Sequence, residues 1–458
     1  MLHPRQIAKT IESRLSETGS LGQALIAASF GTAGMKVAYT GLGFVNVALL
    51  AKLMGPSGYG IYAYVMALAG VLAIPSEFGI PTLATREMAV TNARGEWGYM
   101  RGFILRSHQA IGVLTLAIVC VAAIALLLWG EHLDPDKLEC YALGLLLVPI
   151  ISLGALRGAM LRGLRKLIYG LLPERVIRPL LFLLLIVSVW WLLGREFFQP
   201  ANVLLLQITS AALAFGAGVY FFLKFKPAQL AGATPNYRTA LWLKSSIPFG
   251  LTTALTTING QTDILALGVF GSDADVGTYR VAVQLATLII FGLQVVNGIQ
   301  SPHVAHMYAA GDMQRLRKLI ARSSQAVVLF ALPVTLVLVF FGKPIIALAF
   351  GKEFEGAYVP LVILSVGQLV NAAMGSVGLL LNMTGHEQDT MKSVLVGAVL
   401  NVVLCFTLIP TLGMIGAALA TAVTLVVWNV LMWLKVRRHL GIEPSALIGR
   451  ISKRPPGR

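Results

Sequence analysis

Residues 24–50 read ALIAASFGTAGMKVAYTGLGFVNVALL, an apolar run whose one charge is Lys36. A membrane-spanning helix needs about 20 predominantly apolar residues. A signal-peptide core has only roughly 7–15. The stretch therefore reads as a retained transmembrane helix, not a cleaved leader. The rest of the chain is of the same kind. It is 57% hydrophobic and 12% charged, with a mean hydropathy of +0.78, whereas soluble domains carry roughly 25% charged residues. A net charge of +16 on so apolar a chain leaves little room for the basic face that nucleic-acid binding requires. Nucleic acid is not an expected partner.

Outward from this run, the hydropathy pattern predicts twelve spans: 24–50, 58–78, 107–128, 141–161, 177–193, 201–222, 245–270, 277–296, 324–341, 358–381, 393–409 and 413–434. Their connections are short and rich in turn formers, with no room for a soluble domain. The expected organisation is a cytoplasmic tail (1–20), an N-lobe of helices 1–6 (21–223), a C-lobe of helices 7–12 (224–434) and a basic cytoplasmic tail (435–458). In the first tail Ile7, Ile11 and Leu15 recur at helical spacing among Arg5, Lys9 and Arg14. It reads either as an amphipathic helix on the membrane surface or as a disordered segment.

Lys and Arg set the orientation. With both termini cytoplasmic, alternating loops place 29 of the 36 Lys and Arg on the cytoplasmic side and six outside, with Lys36 inside helix 1. The expectation is a multi-pass protein of the cytoplasmic (inner) membrane. A weak internal repeat adds to this: 60–69 (GIYAYVMALA) and 277–286 (GTYRVAVQLA) share Gly, Tyr, Leu and Ala positions at an offset of 217. It pairs helix 2 with helix 8. Six helices per half is an even number, so the halves enter from the same side, as a parallel repeat about an axis along the membrane normal. The fold class is thus an all-α polytopic membrane protein of two six-helix lobes.

Two regions carry a resemblance. Near the start, 51–62 (AKLMGPSGYGIY) is followed by 77–82 (EFGIPT). Late in the chain, 380–386 (LLNMTGH) and 401–404 (NVVL) precede 408–421 (LIPTLGMIGAALAT). These resemble the oligosaccharide and polysaccharide flippases of the multidrug/oligosaccharidyl-lipid/polysaccharide exporter superfamily, O-antigen flippases included. The likeness covers nearly the whole chain and is most specific over 408–421. It implies twelve helices in two lobes. It also implies movement of an undecaprenyl-diphosphate-linked oligosaccharide from the cytoplasmic to the outer leaflet for surface polysaccharide or lipopolysaccharide biosynthesis. The polymerase or glycosyltransferase machinery is then a possible partner. Residues 410–413 (PTLG) are expected to form a tight interhelical turn, and the small residues after them a flat packing face.

Ionisable groups at membrane depth are the candidate site residues, because burying a charge there costs about 2.5–3.5 kcal/mol. Lys36 reads as a contact for a diphosphate or as half of a structural ion pair. Arg157, Arg175 and Arg178 suit a diphosphate, since guanidinium forks match its oxygens, but positive-inside anchoring explains them too. Arg106 and His108 are weaker candidates of the same kind. Gln284, with Asn297, Gln300, Asn371 and Asn401, offers amides for sugar hydroxyls or for interhelical bonds. For gating or ion coupling the candidates are Glu77, with Arg86 in reach, and Asp263 with Arg280 as its expected partner.

Other classes fit less well. The chain has no P-loop, no catalytic spacing of His, Asp or Glu, and no Cys/His cluster for a metal. Cys120, Cys140 and Cys405 read as small buried hydrophobes. No enzyme activity and no cofactor are expected. Alternatives are a multidrug or other small-solute antiporter of the same superfamily, and a lipid II flippase.

Overall fold

A helix long enough to cross a bilayer twice opens the chain. The computed structural model describes the backbone of residues 4–132 and 134–446, and side chains from Gly34 onward. In it α1 (Pro4–Glu77) contains both of the first two expected spans. Its Gly34–Glu77 part has 44 residues, about 66 Å at 1.5 Å per residue, against a hydrocarbon core of ~30 Å. The helix breaks at Gly55, whose φ of 70° is a conformation only glycine adopts at little cost. Pro56 follows and cannot supply a helical N–H.

After α1 come α2 (Ile80–Arg94), α3 (Trp97–Trp129), α4 (Pro135–Gly163), α5 (Leu167–Leu172), α6 (Arg178–Leu193) and α7 (Pro200–Phe225). The second half holds α8 (Thr239–Phe270), α9 (Asp273–Ala286), α10 (Phe291–Ala309), α11 (Met313–Ala349), α12 (Tyr358–Met374), α13 (Val377–Met383), α14 (Glu387–Leu412) and α15 (Met414–Leu440). There is no strand among the described residues. Nine helices are long and apolar enough to cross a membrane among those residues, or ten if α9 and α10, bent by 52°, form one span. Two differences separate this number from twelve. The first two spans are one kinked helix, and α8 is not among the nine because its middle, 252–263 (TTALTTINGQTD), is polar.

Other departures have local causes. The connection 79–96 is not a loop: α2 buries Ile80, Leu83, Ala84 and Met88 in one cluster with Met100, Leu156 and Met160. The expected span at 277–296 breaks after Ala286, and the one at 358–381 breaks at Gly375 (φ 73°). Pro410 lies within α14, so the turn before α15 is Gly413 alone (φ 53°). Gly416 then packs against the Leu408 carbonyl, as its expected packing role requires. Of the cysteines, Cys140 and Cys405 are buried but Cys120 is exposed. Helical backbone runs unbroken from Pro4 through residue 20. The side chains that decide whether 1–20 is amphipathic lie outside the described residues, as does the tail from 447 on.

The halves of the chain meet along α1, which packs on α8 and α9. Gly60 of α1 lies against the Asp273 backbone, and Gly277 of α9 against that of Pro56. Residues 56 and 60 are related to 273 and 277 by the same offset of 217 as the sequence repeat, so the contact is reciprocal. Neither position has space for a side chain.

A candidate anion-binding cavity between α1, α6 and α9

A cavity of about 520 Å³ lies where the first half of α1 faces the start of α6 and the α9–α10 break. Its walls carry Lys36, Tyr39, Thr40 and Gly43 from α1, Glu174 and Arg175 from the turn before α6, and Arg178 from the first residue of α6. The second half of the chain adds Gln284, Thr287, Phe291 and Gln294. Four of the five substrate-binding candidates therefore meet in one place: Lys36, Arg175, Arg178 and Gln284. Three cations face it against one carboxylate.

The cationic wall owes its shape to two prolines. Pro173 and Pro179 both lack the N–H that an α-helix needs. Between them Pro173–Ile177 forms a π-turn in which the Arg178 N–H bonds to the Pro173 carbonyl, five residues back. Such turns are common at functional sites. This one directs Glu174 and Arg178 together, with Arg178 Nη1 3.5 Å from Glu174 Oε2. Lys36 and Arg175 make no ion pair among the described residues. A structural ion pair for Lys36 thus has no partner among the described residues.

Arg157, the fifth candidate, sits behind this wall. It is 4% exposed. Its Nη1 donates to the Phe215 carbonyl at 2.5 Å, its Nη2 lies 3.4 Å from Glu174 Oε1, and its guanidinium stacks 4.9 Å from the Phe215 ring centre. Gly218 leaves the space it fills. It reaches the cavity through Glu174, a residue the sequence reading passed over. The i, i+4 spacing of Glu174 and Arg178 was the available signal.

The gating candidates fall elsewhere. Asp263 is buried in α8, where Oδ2 accepts from the Tyr279 hydroxyl at 2.7 Å and from Thr421 at 3.3 Å. Its Oδ1 accepts from the Ile264 N–H at 2.9 Å. It forms no ion pair with Arg280 among the described residues; neutral donors already satisfy it. Glu77 ends α1, half-buried and without an ion pair among the described residues, while Arg86 turns to Glu87 at 3.8 Å. Among the amides on other helices, Asn297 accepts from Ser376, at the start of α13, at 2.5 Å, and Asn401 from the Cys405 thiol at 3.8 Å, whereas Gln300 Oε1 is buried with no hydrogen-bond partner among the described residues.

Arg106 borders a second, mainly apolar cavity of about 460 Å³ between α2, α3 and α8. Its guanidinium lies 4.7 Å from the Tyr237 ring centre. No group of three or more His, Cys, Asp or Glu could hold a metal among the described residues.

Comparison with known proteins agrees with this architecture. In sequence, the chain is 23% identical over 395 residues to a probable low-salt glycan biosynthesis flippase of Haloferax volcanii, covering 85% of this chain and 79% of that protein. It is 21% identical to stage V sporulation protein B of Bacillus subtilis, covering 88% and 81%. In structure, it matches an inward-facing multidrug resistance transporter of the MATE family and MOP superfamily, with a TM-score of 0.70 and 14% identity over 89% of this chain and 98% of that one. The lipid II flippase MurJ in an inward closed conformation matches with a TM-score of 0.69 and 15% identity over 90% and 87%. A sequence profile of the lipid II flippase MurJ matches residues 271–454. The profile of the polysaccharide biosynthesis protein family matches residues 26–299, well over half the chain. The chain belongs to that family.

Proposed function

We propose that this protein flips an undecaprenyl-diphosphate-linked oligosaccharide from the cytoplasmic to the outer leaflet, for surface polysaccharide biosynthesis, by alternating access. The observation that carries the reading is the cavity lined by Lys36, Arg175, Arg178 and Gln284. A diphosphate and its sugars cannot cross hydrocarbon unaided, because each buried unpaired polar group costs several kcal/mol. Three cations offer the diphosphate charge-assisted bonds, and Gln284 and Gln294 offer hydroxyls neutral partners. The polyprenyl tail stays in the lipid.

In this reading the chain crosses the inner membrane twelve times, with both termini cytoplasmic and its lobes related by the parallel repeat. The reciprocal contact of Gly60 and Gly277 with residues 273 and 56 supports that symmetry, since two-fold related surfaces touch in this way. Glu77, Asp263 and Arg280 are the candidates for gating or ion coupling. The test is glycan export in cells producing Lys36→Ala or Arg178→Ala at normal membrane levels. Export falls in both; unchanged export in both would overturn the cationic-cavity reading.

A second reading, a lipid II flippase, draws on the match of residues 271–454 to the MurJ profile. Translocation assays in vesicles carrying either lipid II or a polyprenyl-diphosphate oligosaccharide separate the two.

A further inference from the structure

We propose that Glu174 is an internal anion that competes with the substrate's diphosphate for Arg178, and thereby selects diphosphate over a single phosphate. The inference rests on the cavity being an anion site. It concerns the one acidic residue in its wall.

Glu174 bridges two guanidiniums that are held very differently. Arg157 is fixed by the Phe215 carbonyl and ring and by the space above Gly218. Arg178 is partly exposed to the cavity, and Glu174 is its one ionic partner among the described residues. The two contacts, at 3.4 and 3.5 Å, are longer than the roughly 2.7–2.9 Å of a strong charged hydrogen bond. Only the Arg157 contact is also a hydrogen bond, so Arg178 is the freer of the two to exchange partners, while the anchored Arg157 keeps the carboxylate in place. Gly154 of α4 leaves room for that carboxylate: a Cβ there would lie 2.8 Å from Glu174 Oε1. The π-turn sets the spacing of 174 and 178, so a shift of that turn toward α-helical pairing also changes their contact.

The consequence is selectivity. A lone phosphate gains little by displacing a carboxylate from Arg178. A diphosphate brings a second phosphate that meets Lys36 or Arg175 at the same time, neither of which has a competing carboxylate among the described residues. Glu174 is thus a positioning residue that acts through Arg178.

The test is calorimetric binding of inorganic pyrophosphate and of inorganic phosphate to the purified full-length protein. Glu174→Gln tightens phosphate binding by about fivefold, the scale of a partly exposed ion pair, and narrows the preference for pyrophosphate. In an Arg178→Gln background the same substitution changes neither affinity. If Glu174→Gln proves unstable in a melting experiment, Glu174→Asp serves instead. It withdraws the carboxylate by one methylene and gives a smaller change of the same sign. Phosphate affinity and preference unchanged in both variants would overturn the proposal. So would a gain that persists without Arg178. Pyrophosphate binding that is lost in Lys36→Ala but indifferent to Glu174 overturns only the role of Glu174. Absence of anion binding in wild type and Glu174→Gln alike overturns the anion-site reading as well.

Discussion

The wall that the first half of the chain gives the cavity carries Lys36, Glu174, Arg175 and Arg178, whereas the wall from the second half carries Gln284, Thr287, Phe291 and Gln294. Every formal charge is on one side. Deeper in the protein the contrast is reversed. Tyr62 and Tyr279 are related by the 217-residue offset, and each donates within its own half: Tyr62 to the neutral Gln207 at 3.2 Å, Tyr279 to the carboxylate of Asp263 at 2.7 Å. The position 217 before Asp263 is Asn46, which is buried and donates to the Pro179 carbonyl at 2.9 Å. Similar frameworks thus carry different charge. Cations on the first half's surface suit a phosphate, while the second half keeps its carboxylate away from it.

This asymmetry is open to test by substitution. The largest effect is expected from Arg178→Ala and Lys36→Ala. Each removes a charged hydrogen-bond donor worth ~1.5–3 kcal/mol, which predicts roughly a 10- to 100-fold loss of glycan translocation in vesicles. Asp263→Ala comes next. It leaves the buried Tyr279 hydroxyl only its 3.4 Å contact with Thr421 Oγ1 and lowers stability by ~1–3 kcal/mol in a thermal melt. Asp263→Asn, which copies the residue at 46, costs less. On the neutral wall, Gln284→Ala removes an uncharged bond of ~0.5–1.5 kcal/mol, so translocation falls by a few-fold. An effect as large as that of Arg178→Ala would break the comparison. Arg86→Ala is the smallest: its exposed pair with Glu87 predicts a change in melting stability of under about 0.5 kcal/mol.

Much of this was legible in the sequence, because apolar runs declare membrane helices without help from tertiary context. The cationic residues of the cavity were legible for a related reason. A charge such as Lys36 inside an apolar run has few places to go but a polar interior. What the sequence concealed depends on backbone geometry. A positive φ at Gly55 joins two spans into one kinked helix. The amphipathic 80–94 stretch gains its helix by burying Met88 and Leu83 against α3 and α4. The partner of Asp263 was misjudged because neutral donors from α9 and α15 satisfy a carboxylate as well as an arginine does, and only the packed structure brings Tyr279 and Thr421 to it. Glu174 was missed because a glutamate at a helix start looks like an ordinary solvated residue until a π-turn aims it at two arginines.

Asp273 has a use beyond its place against Gly60. Its side chain meets Lys137, at the start of α4, at 2.7 Å, with both partners about 30% exposed. One residue therefore ties the second half to the first in two ways, through its backbone against a glycine and through a charge in contact with solvent. Backbone packing of this kind is indifferent to salt, but a partly exposed ion pair is worth ~0–1 kcal/mol and is screened within a Debye length of about 8 Å at physiological ionic strength. Ionic strength then becomes a means of loosening one tie while leaving the other intact. A distance probe between residues near 137 and 273, read across a salt series, would measure how firmly the two halves are fastened at that end.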